Sequence, residues 1–294
     1  MTNKPRDISA SVKARLQNTA KKRGEEYNLL YLRYGIERLL YRLSVSKYAD
    51  KFLLKGAMLY TLWDAIPHRP TRDLDLLGFV PAEREALAQI FREVVAVPVP
   101  DDGIVFDADS VTAEDIREED AYGGIRVKLM GWIGKSKMPV KIDIGSGDEV
   151  TPSPEVADFP TILDFPSPHI RAYPIYTVVA EKLEAAVKLG ATNSRMKDFY
   201  DLQYLFKRFE FDGPTLKRAI EATFNRRGTP LPKPDGFFPA SFAQDPMKQV
   251  QWESFLKRNK LAHEKHIFVS VIQQLCMFLT NLFYYSEIQT GNMA

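Results

Sequence analysis

The chain has 294 residues, enough for one large domain or two domains of ordinary size. Its 45% hydrophobic and 27% charged residues are typical of a globular protein and exclude a disordered chain. The single cysteine, Cys276, excludes an internal disulfide, and the first residues lack an apolar signal-peptide core, so we expect a cytoplasmic protein. The longest apolar run, residues 267–285, includes Gln273 and Gln274 and predicts a buried helix rather than a membrane span.

Charge is distributed unevenly along the chain. Residues 1–70 carry a net charge of +8 and residues 71–160 a net charge of −10. This asymmetry suits an enzyme that holds a polyanion and also binds a cation. The candidate nucleic-acid contacts in the basic segment are Lys21, Lys22, Arg23 and Arg33. The alternative is that this run of charges only solvates an exposed helix face.

The first part of the chain predicts helices followed by short strands. Residues 8–48 have capping signals and apolar residues at helical spacing. A strand is predicted at Lys51–Leu54, a helix at Ala57–Trp63 and a strand at Leu74–Val80. Pro81 is expected to lie in the first turn of the next helix.

The middle of the chain predicts β-structure. A short strand is expected at Ile104–Phe106. The segments GGIRVKLMGWIG and MPVKIDIG alternate in polarity and predict a hairpin with its turn at residues 135–137. Residues 145–168 are rich in proline and predict a loop.

Helices dominate the last part of the chain. Strong helical patterns cover Pro174–Leu189 and Arg195–Phe206, and Arg226–Pro246 is predicted to be a loop. Two further helices are predicted near Lys248–Asn259 and Glu264–Glu287. We therefore expect an α/β (α+β) core followed by a helical domain. The predicted segments are an N-terminal helical segment at 1–48, a core at 49–165 and a helical C-terminal domain at 166–294.

Two aspartates in the predicted strand at Leu74–Val80 are the first candidates for chemistry. Asp73 and Asp75 are separated by one leucine, and residues i and i+2 of a strand point to the same face. Adjacent carboxylates repel each other, but a divalent cation between them removes the repulsion. Mg²⁺ prefers such oxygen ligands and is often also bound by substrate phosphates. The pattern indicates metal-assisted phosphoryl chemistry with Mg²⁺, or with Mn²⁺ in its place.

Asp143 is a candidate third carboxylate. It alternates with Ile142 and Ile144, so its side chain leaves the strand on the opposite face. If the hairpin pairs beside the strand of Asp73 and Asp75, Asp143 completes a triad able to hold two metal ions. The alternative is an exposed aspartate on a half-buried strand.

Lys55, Gly56 and Ala57 lie between a predicted strand and a predicted helix. A glycine at this point lets a phosphate approach the N–H groups of a helix N-terminus. Lys55 adds a positive charge for the same phosphates. The three residues are therefore candidates for nucleotide binding.

Lys182 occupies a position on its predicted helix where the apolar stripe calls for a core residue. A buried lysine needs an anionic partner, and phosphate oxygens or Asp198 would serve. The alternative is an aliphatic stem whose charged end reaches solvent. Asp198 and Asp201 lie three residues apart on the next helix, so either of them is a candidate partner of Lys182 or of substrate.

Taken together, the motifs resemble the AbiEii/AbiGii toxin family of the nucleotidyltransferase superfamily, to which the MenT toxins belong. The matching motifs are FLLKGAMLY, RPTRDLDLLGF, VKIDIG, YPIYTVVAEKLEAAVKLG, NSRMKDFYDL and QWESFLKR, in this order. The resemblance implies a polymerase-β-like nucleotidyltransferase core with N-terminal helices and a helical C-terminal domain. It further implies a toxin of a toxin–antitoxin or phage-defence system, with a cognate antitoxin encoded nearby and no association with a membrane.

The resemblance assigns roles to individual residues. The residues that match the family's metal-binding, nucleotide-binding and catalytic positions are Lys55, Asp73, Asp75, Lys182, Asp198 and Asp201. It does not say whether Asp198 or Asp201 matters more, and a third carboxylate such as Asp143 is not uniform in the family. The chain departs from the superfamily at Ala57, where serine is usual, and so lacks one hydroxyl contact to phosphate.

The implied activity is Mg²⁺-dependent transfer of a nucleotide monophosphate from an NTP to an acceptor. The favoured acceptor is the 3′ end of tRNA, with other RNA as an alternative, and the expected consequence is a block of translation. Two rival interpretations stay open. One is an NTP sensor without catalysis that acts through a protein partner, and the other is nucleotidylation of a protein or a small molecule.

Overall fold

The structure is a computed structural model in which side chains are described as far as Phe283. It describes residues 7–64, 68–116, 124–233, 237–261 and 267–291. The chain forms two compact units, residues 1–147 with 155–173 and residues 148–154 with 174–294. The predicted division after residue 165 falls inside the first unit, and the predicted N-terminal segment belongs to the same unit as the strands.

The first unit contains a sheet and four helices within the described residues. Its helices are α1 (Ile8–Arg23), α2 (Tyr27–Ser44), α3 (Tyr60–Trp63) and α4 (Arg84–Val95). Its strands are β1 (Phe52–Lys55), β2 (Leu74–Gly78), β3 (Val105–Ile116), β4 (Gly124–Ile133), β5 (Ser136–Ser146), β6 (Glu155–Asp158) and β7 (His169–Ala172). A short 3₁₀ helix, Gly56–Leu59, joins β1 to α3.

The strands form one mixed sheet with the order β3-β4-β5-β2-β1-β7-β6. Strands β2 and β5 are parallel neighbours, as are β1 and β7, and the other neighbouring pairs are antiparallel. The hairpin of β4 and β5 therefore lies beside β2, as the triad hypothesis required. The sheet and the helices confirm the predicted α/β class.

Local sequence signals account for several of these elements. The side chain of Asp7 accepts a hydrogen bond from the N–H of Ala10 at 3.0 Å and caps α1, and Gly24 ends this helix with φ +66°. Burial alternates residue by residue along β4, so one face of this strand packs in the core. Gly134 has φ +59° in the turn, which places the turn one residue earlier than predicted.

Some predicted boundaries in the first unit were wrong. α4 begins at Arg84, so Pro81 precedes the helix instead of lying in its first turn. The strand expected at Ile104–Phe106 is observed at Val105–Ile116. The prediction was too short because β3 is an edge strand whose exposed acidic residues give no apolar pattern. The predicted loop at 145–168 contains β6.

The second unit is helical. Its helices are α5 (Ile175–Leu189), α6 (Met196–Arg208), α7 (Gly213–Arg227), α8 (Ala240–Gln244), α9 (Pro246–Arg258) and α10 (Phe268–Gly291). Its core includes the fully buried rings of Phe199, Trp252 and Phe268, and the first two each lie against the ring of Phe268. The predicted start of the last helix at Glu264 lies outside the described residues. Over the part of the chain that the structure describes, we find no helix long and apolar enough to cross a membrane.

Two helices of the second unit were missed by the sequence analysis. The side chain of Asp212 accepts from the N–H of Thr215 at 2.9 Å, and Pro214 lies in the first turn of α7. These capping signals are visible in the sequence and would have revealed the helix. The predicted loop at Arg226–Pro246 was wrong at Ala240–Gln244, which forms α8.

Candidate active site

A row of charged residues crosses four adjacent strands of the sheet. Lys55 on β1 is paired with Asp75 on β2, Asp75 with Asp143 on β5, and Asp143 with Arg126 on β4. Directly paired residues of neighbouring strands project from the same face of a sheet. These four residues, which we call the charged row, therefore stand side by side. Three of the four were predicted from the sequence as site residues, and Arg126 was not.

The opposite face of the same strands is apolar. The residues that flank the charged row on this face are Leu54, Leu74, Leu76, Ile125, Val127, Ile142 and Ile144, and all are buried. Burial of this face explains why the charged side chains must lie on the other one, because a shift of register by one residue would bury charges. The core thus positions the charged row.

Asp73 and Asp75 have the arrangement that the sequence predicted. Asp73 directly precedes β2, Asp75 lies within it, and both are half-buried. Leu74 and Leu76 are at most 1% exposed, so accessibility alternates across the four residues. Both carboxylates consequently lie on the face of the charged row.

Gly56 lies against the carboxylate of Asp75. Its φ is +72°, a conformation that favours glycine, and a Cβ built on it would overlap the carboxylate group of Asp75. Only a residue without a side chain fits here. The close approach leaves the backbone turn after β1 in contact with the carboxylate of Asp75.

Lys55 and Ala57, the neighbours of Gly56, face different surroundings. The ammonium nitrogen of Lys55 lies 5.3 Å from the ring centroid of Tyr173, and Tyr173 is itself buried. Ala57 is 8% exposed and belongs to the 3₁₀ helix that takes the place of the first turn predicted for α3. The methyl group of Ala57 therefore packs in the core.

Asp143 leaves its strand on the predicted face but has a partner that was not foreseen. Its oxygens Oδ1 and Oδ2 accept hydrogen bonds from Nε and Nη2 of Arg126, each at 2.7 Å. These bonds raise the pKa of Arg126, and the charge of Asp73 contributes to the same shift. A turn at the predicted residues 135–137 would pair position 126 with position 146, whereas the observed turn at residues 134–135 pairs it with Asp143, so this pairing was found only in the structure.

The structure does not bring Asp143 into a metal-holding group with Asp73 and Asp75. Across the described ranges, no cluster of three or more histidine, cysteine, aspartate or glutamate side chains is arranged to hold a metal ion. The carboxylate of Asp143 is instead neutralised by Arg126. The pair formed by Asp73 and Asp75 keeps the metal-binding role as a prediction, and the triad hypothesis requires correction.

Lys182 lies in the second unit, where it bridges two carboxylates. Its Nζ atom is 3.0 Å from Oδ1 of Asp198 and 2.7 Å from Oδ2 of Asp201. Nε of Arg195 lies 2.8 Å from the other oxygen of Asp198. We refer to these four residues as the Lys182 cluster.

Lys182 and its two carboxylate partners are buried. The side chain of Lys182 is 13% exposed and those of Asp198 and Asp201 are at most 2% exposed, so the lysine does not extend into solvent. Burial by itself would raise the pKa of Asp198, but the charges of Lys182 and Arg195 lower it below its ordinary value. Asp198 is therefore a partner of Lys182, as proposed, and Asp201 is a second one.

The four basic residues predicted to contact nucleic acid separate into two groups. Lys21, Lys22 and Arg23 form the exposed last turn of α1. Arg33 is 6% exposed on α2, and its Nη1 atom lies 2.6 Å from a carboxylate oxygen of Glu25. The prediction for Arg33 was wrong, because its charge is buried and paired.

Comparison with known proteins supplies independent information on fold and family. The chain resembles the crystal structure of JHP933 from Helicobacter pylori, with 18% identity, a TM-score of 0.53 and coverage of 91% of this chain and 97% of that one. It also resembles the crystal structure of a "putative nucleotidyltransferase from H. pylori", with 17% identity, a TM-score of 0.53 and coverage of 90% and 98%. A search of curated proteins gave no match.

A sequence profile extends this likeness from fold to family. The family described as "Nucleotidyl transferase AbiEii toxin, Type IV TA system" matches residues 38–274. The match includes the charged row and the Lys182 cluster, and it confirms the predicted family and fold class. By this match over most of its length, the chain belongs to the AbiEii nucleotidyl transferase toxin family.

Proposed function

We propose that this toxin uses a divalent cation to transfer a nucleotide monophosphate from an NTP to the 3′ end of tRNA, and thereby blocks translation. The observation that carries the proposal is the placement of Asp73 and Asp75 beside Gly56 and Lys55 on one face of the sheet. Carboxylates for a cation, a close backbone turn and a lysine are the parts that phosphoryl transfer requires.

The residues present fit one Mg²⁺ or Mn²⁺ ion. Asp73 and Asp75 supply hard oxygen ligands on one face, and the turn at Gly56 lies close enough to the Asp75 carboxylate that no side chain fits between them. Mg²⁺ is commonly bound by one or two carboxylates, with water and substrate phosphates completing its coordination. A bound ion would neutralise phosphate charge and orient the phosphates for in-line attack.

The chain's own side chains would hold and orient the nucleotide. Lys55 projects from the same face as Asp75 and offers a positive charge to the phosphates. Its ammonium group lies over the ring of Tyr173, which limits the directions that this group samples. Gly56 lets the backbone approach closely, as a phosphate-binding turn requires.

The proposed reaction is a displacement at the α-phosphorus of the NTP. An acceptor hydroxyl oxygen forms a new bond to the α-phosphorus while the bond from this phosphorus to the bridging oxygen breaks. Pyrophosphate leaves with the electron pair of the broken bond, and the hydroxyl proton passes to solvent. The negative charge that accumulates on the phosphates is what Lys55 would stabilise.

The Lys182 cluster enters the proposal through the family resemblance. The resemblance assigns functional positions to Lys182, Asp198 and Asp201, the family match covers all three, and their side chains are buried together. Buried groups of this kind are common at functional sites, although they also occur as structural ion pairs. We propose a part in nucleotide binding or catalysis for Lys182 and for at least one of the two aspartates.

The choice of RNA as acceptor is supported by charge. Lys21, Lys22 and Arg23 place three positive charges on one exposed helical turn, which is suited to a phosphate backbone.

The family description also supports a cognate antitoxin. We propose that the antitoxin is encoded in the neighbouring gene. Its co-expression is expected to restore the growth of cells that produce this chain.

Label transfer tests the activity. Purified protein is incubated with each α-³²P-labelled NTP, Mg²⁺ and total tRNA, and we expect label on tRNA together with release of pyrophosphate. Asp75→Asn should lower the rate by on the order of a hundredfold or more, because it removes a proposed metal ligand. Asp115→Asn is the matched control, since Asp115 is an exposed acidic residue of β3.

Each other outcome selects a different function. Binding of NTP without release of pyrophosphate would identify a nucleotide sensor. Label on a protein or a small molecule instead of tRNA would keep the chemistry and change the acceptor. Equal transfer by wild type and Asp75→Asn would refute the role of the Asp73–Asp75 pair.

A further inference from the structure

The bond between Arg126 and Asp143 occupies the position where the triad hypothesis placed a second metal ion. Both oxygens of Asp143 accept hydrogen bonds from one guanidinium group, at 2.7 Å each. Such a fork-to-fork arrangement is the strongest pairing that arginine makes with a carboxylate. Asp143 is at the same time the direct strand neighbour of Asp75, so the guanidinium lies next to the proposed metal ligands.

The charges on this face favour one divalent cation over two. Asp73, Asp75 and Asp143 supply three negative charges on this face, and Lys55 and Arg126 supply two positive ones. The charge of Arg126 is retained at every physiological pH. A second divalent ion at Asp143 would lie beside a guanidinium and meet its repulsion. Asp73 also interacts with the charge of Arg126, so the guanidinium acts on more than its direct partner.

The paired side chains of Arg126 and Asp143 are partly exposed to solvent. Arg126 is 32% exposed and Asp143 is 23% exposed, so solvent reaches both without separating them. Simple exposed ion pairs contribute little to stability. This pair is bidentate and lies beside Asp75, so its position at the site, and not its contribution to stability, is what links it to the bound cation.

We propose that Arg126 takes the place of a second metal ion, so that the site binds a single divalent cation on Asp73 and Asp75 while Arg126 holds Asp143. This inference rests on the proposed metal-dependent transfer. Arg126 is then a positioning residue: by holding Asp143, it limits the site to one metal ion. It also predicts that Asp143 is not a metal ligand.

Counting bound Mn²⁺ tests the inference without measuring catalysis. Mn²⁺ is titrated into the full-length protein in the presence of a non-hydrolysable NTP analogue, and free Mn²⁺ is followed by electron paramagnetic resonance. Wild type is expected to bind one Mn²⁺ per chain, and Arg126→Gln two, because the freed carboxylate joins the site. The double variant Arg126→Gln/Asp143→Asn should return to one.

Lys128→Gln is the matched control. Lys128 lies two residues from Arg126 on the same face of β4, but its partner is Glu114 and not Asp143. The substitution removes the same charge from the same strand, so it should leave the count at one. Circular dichroism and the thermal midpoint verify that each variant is folded.

Asp143→Asn gives a second measurement that does not depend on the folding of Arg126→Gln. If Asp143 is not a ligand, its amide variant keeps one Mn²⁺ and loses less than about tenfold in affinity, at the low end of what outer partners of a metal site contribute. A loss of a hundredfold or more, or of the ion itself, would overturn the inference.

The remaining outcomes separate this inference from the proposed function. Two Mn²⁺ ions in wild type, or one in Arg126→Gln, would overturn the role of Arg126 and leave metal-dependent transfer intact. An absence of bound Mn²⁺ in wild type, with label transfer to tRNA unaffected by chelators, would overturn both. Activity and metal count are measured on the same preparation, so the two failures are distinguishable.

Discussion

Gly56 couples the backbone of the turn after β1 to the carboxylate of Asp75. The residue has φ +72°, and a Cβ on it would overlap the Asp75 side chain. Two separate physical effects therefore select glycine, the backbone conformation and the space. Either a shift of the turn or a shift of the carboxylate would have to accompany any side chain at this position.

Gly56→Ala should accordingly lower both stability and metal affinity. The left-handed conformation alone costs an alanine about 1–2 kcal/mol, and the overlap with Asp75 adds to this. Unfolding in urea measures the first effect and Mn²⁺ titration the second. Gly24→Ala is the control that isolates the conformational cost, because Gly24 has φ +66° and a Cβ placed on it would meet no atom within 4 Å. Equal losses of stability and of Mn²⁺ affinity in Gly56→Ala and Gly24→Ala would contradict the proposed contact between Gly56 and Asp75.

At the scale of elements, buried charges connect segments within each unit. In the first unit, Arg42 of α2 binds Asp102 with both side chains at most 6% exposed. In the second unit, the Lys182 cluster joins α5 to α6. Such pairs fix the relative position of elements, and removal of one partner leaves an uncompensated charge in the interior.

Lys182→Met should destabilise the second unit strongly. The substitution leaves Asp198 and Asp201 buried without the cation that both contact, and comparable losses cost about 3–5 kcal/mol. Thermal or urea unfolding measures the change. Lys188→Met, on the same helix at a less buried position, should change stability by less than about 0.5 kcal/mol. A Lys182 variant as stable as wild type would show that the cluster tolerates loss of its cation.

Glu37 on α2 should make the stability of the first unit depend on pH. Burial raises the pKa of Glu37 to about 7 from its ordinary 4.5, although Arg38 and the N–H of Ile162 act in the opposite direction. Below pH 4.5 the group is protonated in both folded and unfolded chains. As pH rises to 7, only the unfolded chain releases the proton, so the free energy of unfolding falls.

The expected loss is on the order of 2–4 kcal/mol between pH 4.5 and pH 7, with little further change above that range. Urea unfolding across this pH range provides the measurement. Glu37→Gln removes the titrating group and should flatten this part of the profile. If the slopes of wild type and variant agree, Glu37 is ionised in the folded protein throughout.

At the scale of the whole molecule, the uneven charge distribution suggests where a polyanion binds. The net charge is only +2, yet residues 1–70 carry +8. Not all of these positive charges can contact a polyanion, since Arg33 is buried against Glu25. The exposed turn Lys21–Arg23 is the part of this basic segment that we propose as the RNA surface.

Replacing Lys21, Lys22 and Arg23 together by alanine should weaken tRNA binding and reduce its dependence on salt. Each lost phosphate contact is expected to lower the slope of log K against log salt by about 0.7–0.9. Filter binding at several salt concentrations provides the measurement. Lys257→Ala/Arg258→Ala, an exposed basic pair at the end of α9, serves as the control. An unchanged slope in the triple variant would place the RNA surface elsewhere.

Much of the local structure was predictable because it depends on short-range periodicity. The β4–β5 hairpin, α5 and α6 followed from alternation and helical spacing within single segments. The failures were of another kind. α7 was missed although its capping signals are local, and β3 was predicted too short because an edge strand with exposed acidic residues lacks an apolar pattern.

The sequence by itself determined that Asp73 and Asp75 share a face, since side chains two residues apart in an extended chain point to the same side whatever surrounds them. It also determined the family, through the order of its motifs. Only the tertiary structure decided that β5 lies beside β2, which places Asp143 next to Asp75, and that Lys182 contacts both Asp198 and Asp201. Strand order and burial are set by packing between distant segments, and no pattern within one segment contains that information.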